Sequence, residues 1–269
     1  MLEWIVHHEN SLRPGVFFSL LLVMGLWEFF APKKRPTQPK AYRWFHNLTL
    51  VFANSFIVKL LLPMGATAFA LYVEQNNWGL FHNIPLPIWI SIPLTLVVFD
   101  FIIYWQHRMM HVVPFFWQMH QVHHADLDID VSTGSRFHIL EILFSMGIKF
   151  ISILLIGPHV VAVILFEIFL NGFAMFNHSN INLPKFIDSF LRFCIVTPDV
   201  HRIHHSQISK ESYRNYGFNI IWWDRIFGSY LATPELGHAN MQIGIAKLNN
   251  PKEVTSIWAM CLLAFKKPK

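Results

Sequence analysis

Apolar runs of membrane-spanning length, repeated along the chain, constrain this sequence more than any other feature in it. A helix needs roughly 20 mainly apolar residues to cross a bilayer, where only its own internal hydrogen bonds can satisfy its backbone. Residues 15–31, 48–73 and 84–105 each meet that requirement. A further region, 142–176, is longer and is interrupted by Gly157 and Pro158. That interruption predicts a hairpin of two short helices, which either crosses twice or dips partway in. Composition agrees: 54% of the 269 residues are hydrophobic and 14% are charged, against about 25% charged in an average soluble domain. A disordered chain is excluded, and an ordinary soluble enzyme is disfavoured. The formal net charge of +5 is not assigned to nucleic acid, because so few charges leave little room for a phosphate-reading face. The expected fold is an all-α integral membrane protein with about four to five membrane-embedded helices and a cytoplasmic helical cap.

Charge asymmetry gives an expected topology. Lys33, Lys34, Arg35, Lys40 and Arg43 follow the first span with no acid among them, whereas 74–83 has no Lys or Arg. The positive-inside rule puts residues 33–43 in the cytoplasm and the amino terminus outside. Three crossings then return everything after Trp105 to the cytoplasmic side. Glu3 and Glu9 precede the first span against a lone Arg13, the wrong flank for a cleaved signal peptide. The basic tail at 266–269 resembles a dilysine retrieval signal but reads equally as a plain basic tail, and a bacterial inner membrane is favoured over the endoplasmic reticulum. The expected organisation is a transmembrane region at 1–94, a catalytic domain at 95–230 and a tail at 231–269.

There are 16 histidines, and the informative ones form three tight groups in the half expected to be cytoplasmic. His107 and His111 stand four apart at the end of the third span; His120, His123 and His124 make an HxxHH box; His201, His204 and His205 make another. Residues three and four apart share a helix face, so each group can point at one metal. At this histidine content, chance predicts roughly 0.06 copies of HxxHH, yet two are present. Neutral imidazole suits zinc, copper, iron and nickel. Eight histidines exceed the needs of one tetrahedral catalytic zinc and suit two ions, each with an open position. No HExxH supplies the general base of a zinc protease. The only cysteines, Cys194 and Cys261, form no CxxC pair and cannot hold an iron–sulfur cluster.

HRMMH, HQVHH and HRIHH, in this order after apolar spans, resemble the fatty acid hydroxylase/sterol desaturase superfamily. Further matches are Asp100, Tyr104 and Trp105 before the first box; Arg136, His138 and Glu141 after the second; Asn177, His178 and Asn180 before the third; and Asn215 to Gly228 beyond it. The similarity covers about residues 95–230. It implies an integral-membrane enzyme with two non-haem iron ions that uses O2 and external electrons to hydroxylate a lipid C–H bond. A desaturase with the same site is the nearest alternative; a zinc-dependent membrane hydrolase and a non-catalytic metal-binding membrane protein are others. The resemblance implies His107, His111, His120, His123, His124, His201, His204 and His205 as ligands, with His178 as a ninth. Some relatives carry another histidine where this chain has Asn182, which leaves a tenth ligand open. The electron donor is then a separate protein of cytochrome b5, ferredoxin or reductase type, and the other partners are the bilayer, a lipid substrate and O2.

Three residues are expected to support the ligands. Asp100 lies two turns before His107 on one face and is a candidate acceptor for a ligand N–H. Glu141 lies one turn beyond His138, so those two side chains are expected to interact, with His138 in a supporting or structural role rather than as a ligand. Glu28 and Glu167 lie inside apolar runs, where ionisable residues are costly and usually functional, but the sequence names no partner for either.

Overall fold

The computed structural model describes residues 1–84 and 86–266. Of the basic tail, residues 267–269 lie outside the described residues. The described chain is helical, with isolated bridges in place of strands. The first half contains α1 (Leu2–His7), α2 (Glu9–Phe30), α3 (Lys40–Leu61), α4 (Ala66–Gln75), α5 (Leu80–Asn83) and α6 (Ile88–Val112). The second half continues with α7 (Pro114–His124), α8 (Ile139–Ile156), α9 (Val160–His178), α10 (Lys185–Leu191), α11 (Pro198–His204), α12 (Ser209–Ser212) and α13 (Trp222–Ile226). The short helices α14 (Gly237–Asn240), α15 (Pro251–Val254) and α16 (Ile257–Leu263) follow.

Five segments are long and apolar enough to cross a membrane: Glu9–Phe30, Lys40–Asn83, Ile88–Val112, Ile139–Ile156 and Val160–His178. Large apolar side chains such as Phe18, Leu22, Phe56, Leu60 and Leu155 are exposed on their outer faces, as expected where lipid replaces water. The chain is a multi-pass membrane protein. The segment expected as one span at 48–73 is broken: α3 stops at Leu61 and α4 starts at Ala66. Pro63 has no N–H to donate and disfavours helical geometry at Leu62, so the helix cannot run through. The break lets α4 turn inward, where Ala66, Ala70 and Val73 pack on Phe99 and Ile103 of α6, Ile153 of α8 and Val160 and Val161 of α9.

The expected hairpin at 142–176 forms as α8 and α9. Gly157 adopts φ +63 at its corner, and a Cβ there would meet Trp78 O at 2.1 Å. Both the left-handed conformation and the close approach require glycine. His159 Nδ1 then accepts from Val161 N and caps α9.

Residues after α2 lie at the histidine-bearing end of the bundle. Pro32 pairs with Ile181, and Lys33 N donates to Asn180 O at 2.7 Å. Arg43 is fully buried, donating to Asp126 through Nε and NH2 at 2.8 and 2.7 Å and to Asp130 through NH1. This clamp ties α3 to the loop between α7 and α8. The segment expected as a tail is also packed: Val254, Met260 and Leu263 join Val122 and Ala125 at the end of α7.

Candidate metal centre

All nine histidines are buried, none more than 7% exposed. They form two groups, each with one ligand nitrogen per residue within 4.8 Å of the others: His107, His111, His120, His124 and His204 in one, and His123, His178, His201 and His205 in the other. The second and third boxes are each divided between the two groups, a division that shared helix faces left open. Residues advance about 100° per step around a helix, so the third and fourth positions after His120 splay to opposite flanks of it. His120 and His124, four apart on α7, join the first group, while His123 crosses to the second. The third box mirrors this, with His201 and His205 in the second group and His204 in the first. His107 and His111, on the last two turns of α6, both stay in the first.

Hydrogen bonds fix which ring nitrogen faces inward. A carbonyl or carboxylate oxygen can only accept, so the nitrogen it contacts carries the proton. Nδ1 of His107 donates to Tyr216 O (2.8 Å), of His204 to Arg214 O (2.7 Å), of His178 to Ala174 O (2.6 Å), of His123 to Arg136 O (3.3 Å) and of His120 to Glu141 Oε1 (2.7 Å). Burial, the largest cause, pushes His204 down to about 3 and holds His123 well below its ordinary range, assisted for His123 by neighbouring imidazoles. The His107, His123, His178 and His204 rings are thereby held neutral, and their Nε2 lone pairs point into the groups.

Those lone pairs meet one another. Nε2 of His107 and His204 are 3.0 Å apart, as are Nε2 of His123 and His178. Neither member of either pair has a proton left to share, so without a cation between them the contacts are repulsive. Two nitrogens held by one ion at about 2.0–2.1 Å sit roughly 2.9–3.4 Å apart for octahedral to tetrahedral geometry, and the observed separations fall in that interval. His178 Nε2 also lies 3.0 Å from His201 Nε2 and 3.2 Å from His205 Nε2, three neighbours for one lone pair. His120 Nε2, His124 Nε2 and both nitrogens of His111 are buried without any hydrogen-bond partner. The donor set fits two metal ions.

The partners of the three supporting residues are specific. Glu141 serves His120 rather than His138. His138 lies outside both groups: its Nδ1 caps α8 by accepting from Leu140 N, and its Nε2 contacts Cys261 O, each at 3.3 Å. Asp100 does not reach His107, because two turns of helix separate the residues by about 10 Å. Its carboxylate instead accepts from Trp223 Nε1 at 2.8 Å and from the N–H groups of Asn219 and Ile220 at 3.2 Å. Asp224 accepts from Tyr216 N and Gly217 N, both at 2.8 Å. Together the two carboxylates hold the loop whose Tyr216 carbonyl orients His107. Asn182 is exposed, and its N–H donates to Ala31 O at 3.0 Å.

Sequence reasoning missed the backbone carbonyls of Ala174, Arg136, Arg214 and Tyr216, which no side-chain pattern encodes. It also missed Gly134, where a Cβ would sit 2.4 Å from the Ala174 carbonyl that orients His178. The buried acids find partners as well: Glu28 contacts Lys40 (2.8 Å), Val131 N (2.7 Å) and Asn180 N (2.8 Å), and Glu167 contacts Lys149 and Arg13.

The family model for fatty acid hydroxylases matches residues 92–229, the segment from α6 to α13 that carries every histidine of the two groups. The chain belongs to the fatty acid hydroxylase family. It is similar to the ornithine lipid hydroxylase OlsE of Rhizobium tropici, 24% identical over 81% of this chain and 67% of that one. It is 33% identical to the alkylglycerol monooxygenase of Xenopus tropicalis over 83% of this chain, spanning about half (48%) of that relative's length. A methylsterol monooxygenase 2-2 of Arabidopsis thaliana is 27% identical, with 84% of each chain covered. No solved structure matches the chain.

Proposed function

We propose that the protein is a membrane-bound non-haem di-iron oxygenase that inserts one oxygen atom of O2 into a lipid C–H bond. One observation carries this: His107, His120, His123 and His201, drawn from both groups, line a mainly apolar cavity of about 220 Å3 between α6, α8 and α9. His107, His111, His120, His124 and His204 would hold one iron, and His123, His178, His201 and His205 the other. Iron bound there would supply O2 activation and C–H oxidation, chemistry no protein side chain supplies. The balance is R–H + O2 + 2 electrons + 2 protons giving R–OH + H2O. The electrons come from a separate protein of cytochrome b5, ferredoxin or reductase type.

The chain's own residues do the rest. The Nδ1–H bonds to Tyr216, Arg214, Ala174, Arg136 and Glu141 hold the ligand rings in one tautomer and orientation. Ile103, Met110, Phe137, Met146 and Phe218 wall the cavity; they exclude water and orient the hydrocarbon segment of the substrate. Its size suits part of a lipid rather than a whole one. Relatives named for ornithine lipid, alkylglycerol and methylsterol oxidation support a lipid substrate. The positive-inside rule, with residues 33–43 at the histidine-bearing end, supports a cytoplasmic metal centre and an amino terminus outside.

Comparative lipidomics of cells expressing wild type or His204→Ala under 18O2 tests the assignment. A lipid gaining one labelled oxygen in wild type alone supports hydroxylation, and an unlabelled lipid two hydrogens lighter identifies the desaturase. O2-dependent turnover undiminished in His204→Ala and in His123→Ala, with both variants membrane-inserted, overturns the metal-centre assignment.

A further inference from the structure

Arg202, the second residue of the third box, is buried (1% exposed) on α11. Its NH1 donates to Asn180 Oδ1 at 3.0 Å, its NH2 makes a long 3.4 Å contact with Ser179 O, and its Nε has no partner. No salt bridge satisfies it among the described residues. Arg43, equally buried, is bracketed by Asp126 and Asp130, which is how buried charges are normally compensated. The acids whose charge acts on Arg202 are already engaged: Asp199 with Lys33 at 2.7 Å and Glu28 with Lys40 at 2.8 Å.

Arg202 lines a cavity of about 290 Å3 on the polar side of the fold, together with Lys34, Arg35, Asn180, Gln207 and Asp128. Three cations and one carboxylate line it, with Lys34 Nζ donating to Met241 O. That carboxylate is itself occupied, since Asp128 accepts from Thr37 N, Thr37 Oγ1 and Gln38 N at 2.8 to 3.1 Å. The wall at residues 34–38 follows closely on Phe29 and Phe30, the exposed apolar end of α2 (74% and 78%). The cavity wall is thus joined directly to the end of an apolar helix of membrane-spanning length.

We propose that this cavity is an oxyanion site that binds a phosphate group, carried by a phospholipid headgroup or by free phosphate ion. A guanidinium fork matches phosphate oxygens, and the bound group compensates Arg202 and ties the residues after α2 to α11. The site is separate from the lipid-oxidising cavity and does not depend on the proposed reaction.

The test uses the full chain in neutral detergent, with binding read as a saturable rise in unfolding temperature and by native mass spectrometry. The probes are sodium phosphate against chloride at matched ionic strength, dioleoylphosphatidylglycerol, and phosphate-free dioleoylglycerol. Phosphatidylglycerol is expected to saturate in wild type, with affinity falling about tenfold or more in Arg202→Gln, the loss of one charged hydrogen-bonding group. Arg35→Ala, at an exposed position, is expected to weaken binding several-fold without altering the unliganded fold, while Lys210→Ala leaves it unchanged. Saturation by phosphate ion alone supports the site and identifies it as one for the free ion; saturation by phosphatidylglycerol alone supports the headgroup. Equal stabilisation by dioleoylglycerol, no binding of either phosphate probe, or wild-type titrations in both Arg35→Ala and Arg202→Gln overturn the proposal. If Arg202→Gln does not fold, a Lys34→Ala, Arg35→Ala double variant decides on the same readouts.

Discussion

Replacing Glu141 with leucine should weaken one metal position and spare the other. The Glu141 carboxylate accepts from His120 Nδ1 at 2.7 Å, and both residues are buried, at 5% and 2% exposed. Leucine leaves that N–H without an acceptor, a cost of about 1–3 kcal/mol for a buried unsatisfied donor. Loss of the hydrogen-bond partner of a ligating histidine typically costs about 10- to 100-fold in metal affinity, which is about 1.4–2.7 kcal/mol. Only the five-histidine group contains His120, so only its dissociation constant should rise by about 10- to 100-fold. Glu141→Gln keeps an acceptor oxygen and should lose less than about tenfold. The assay is anaerobic chelator competition on iron-loaded protein, with metal per chain counted along the titration. Glu141→Leu should pass through a one-iron species at chelator concentrations where wild type retains both. Simultaneous loss of both ions, or a wild-type titration, would refute the partition of ligands.

The same partition predicts that His123→Ala empties the four-histidine position and His124→Ala the five-histidine one, although the residues are adjacent; spectroscopically identical one-iron products from the two variants would contradict it. Gly134→Ala should push α9 away from the loop before α8 and cost about 1–3 kcal/mol of overpacking; because the clash falls on the carbonyl that orients His178, chelator titration should show the four-histidine ion leaving first. Burial raises the Asp224 carboxyl from 3.8 to about 6, so the fold favours its neutral form. Its stabilising contribution is complete below about 3.8 and is lost as pH rises through about 6. Unfolding midpoints of wild type and Asp224→Asn should therefore diverge between those pH values, and parallel curves would exclude the effect.

Much of the site was legible because its ligands recur at spacings set by helix geometry. The boxes identified His107, His111, His120, His123, His124, His201, His204 and His205 as a set, and family similarity added His178. Spacing could not divide them. A separation of three or four residues says that side chains share a helix side, but not whether a second helix lies there to split them. The misassignments have the same origin. Asp100 lies on the same helix face as His107 but too far along it, and Glu141 faces α7 rather than its near neighbour His138.

The sequence by itself determined an all-helical membrane chain, because apolar runs of that length have no other stable state in a bilayer, and it determined a histidine-rich metal centre of a known family. It also specified the hairpin corner at Gly157, a local backbone requirement. Tertiary structure decided which nitrogens face which ion, the pairing of Arg43 with Asp126 and Asp130, and the isolation of Arg202. Each of these depends on residues far apart in the chain, and their proximity is set by how α3, α7, α9 and α11 pack, a cooperative property that no local pattern records.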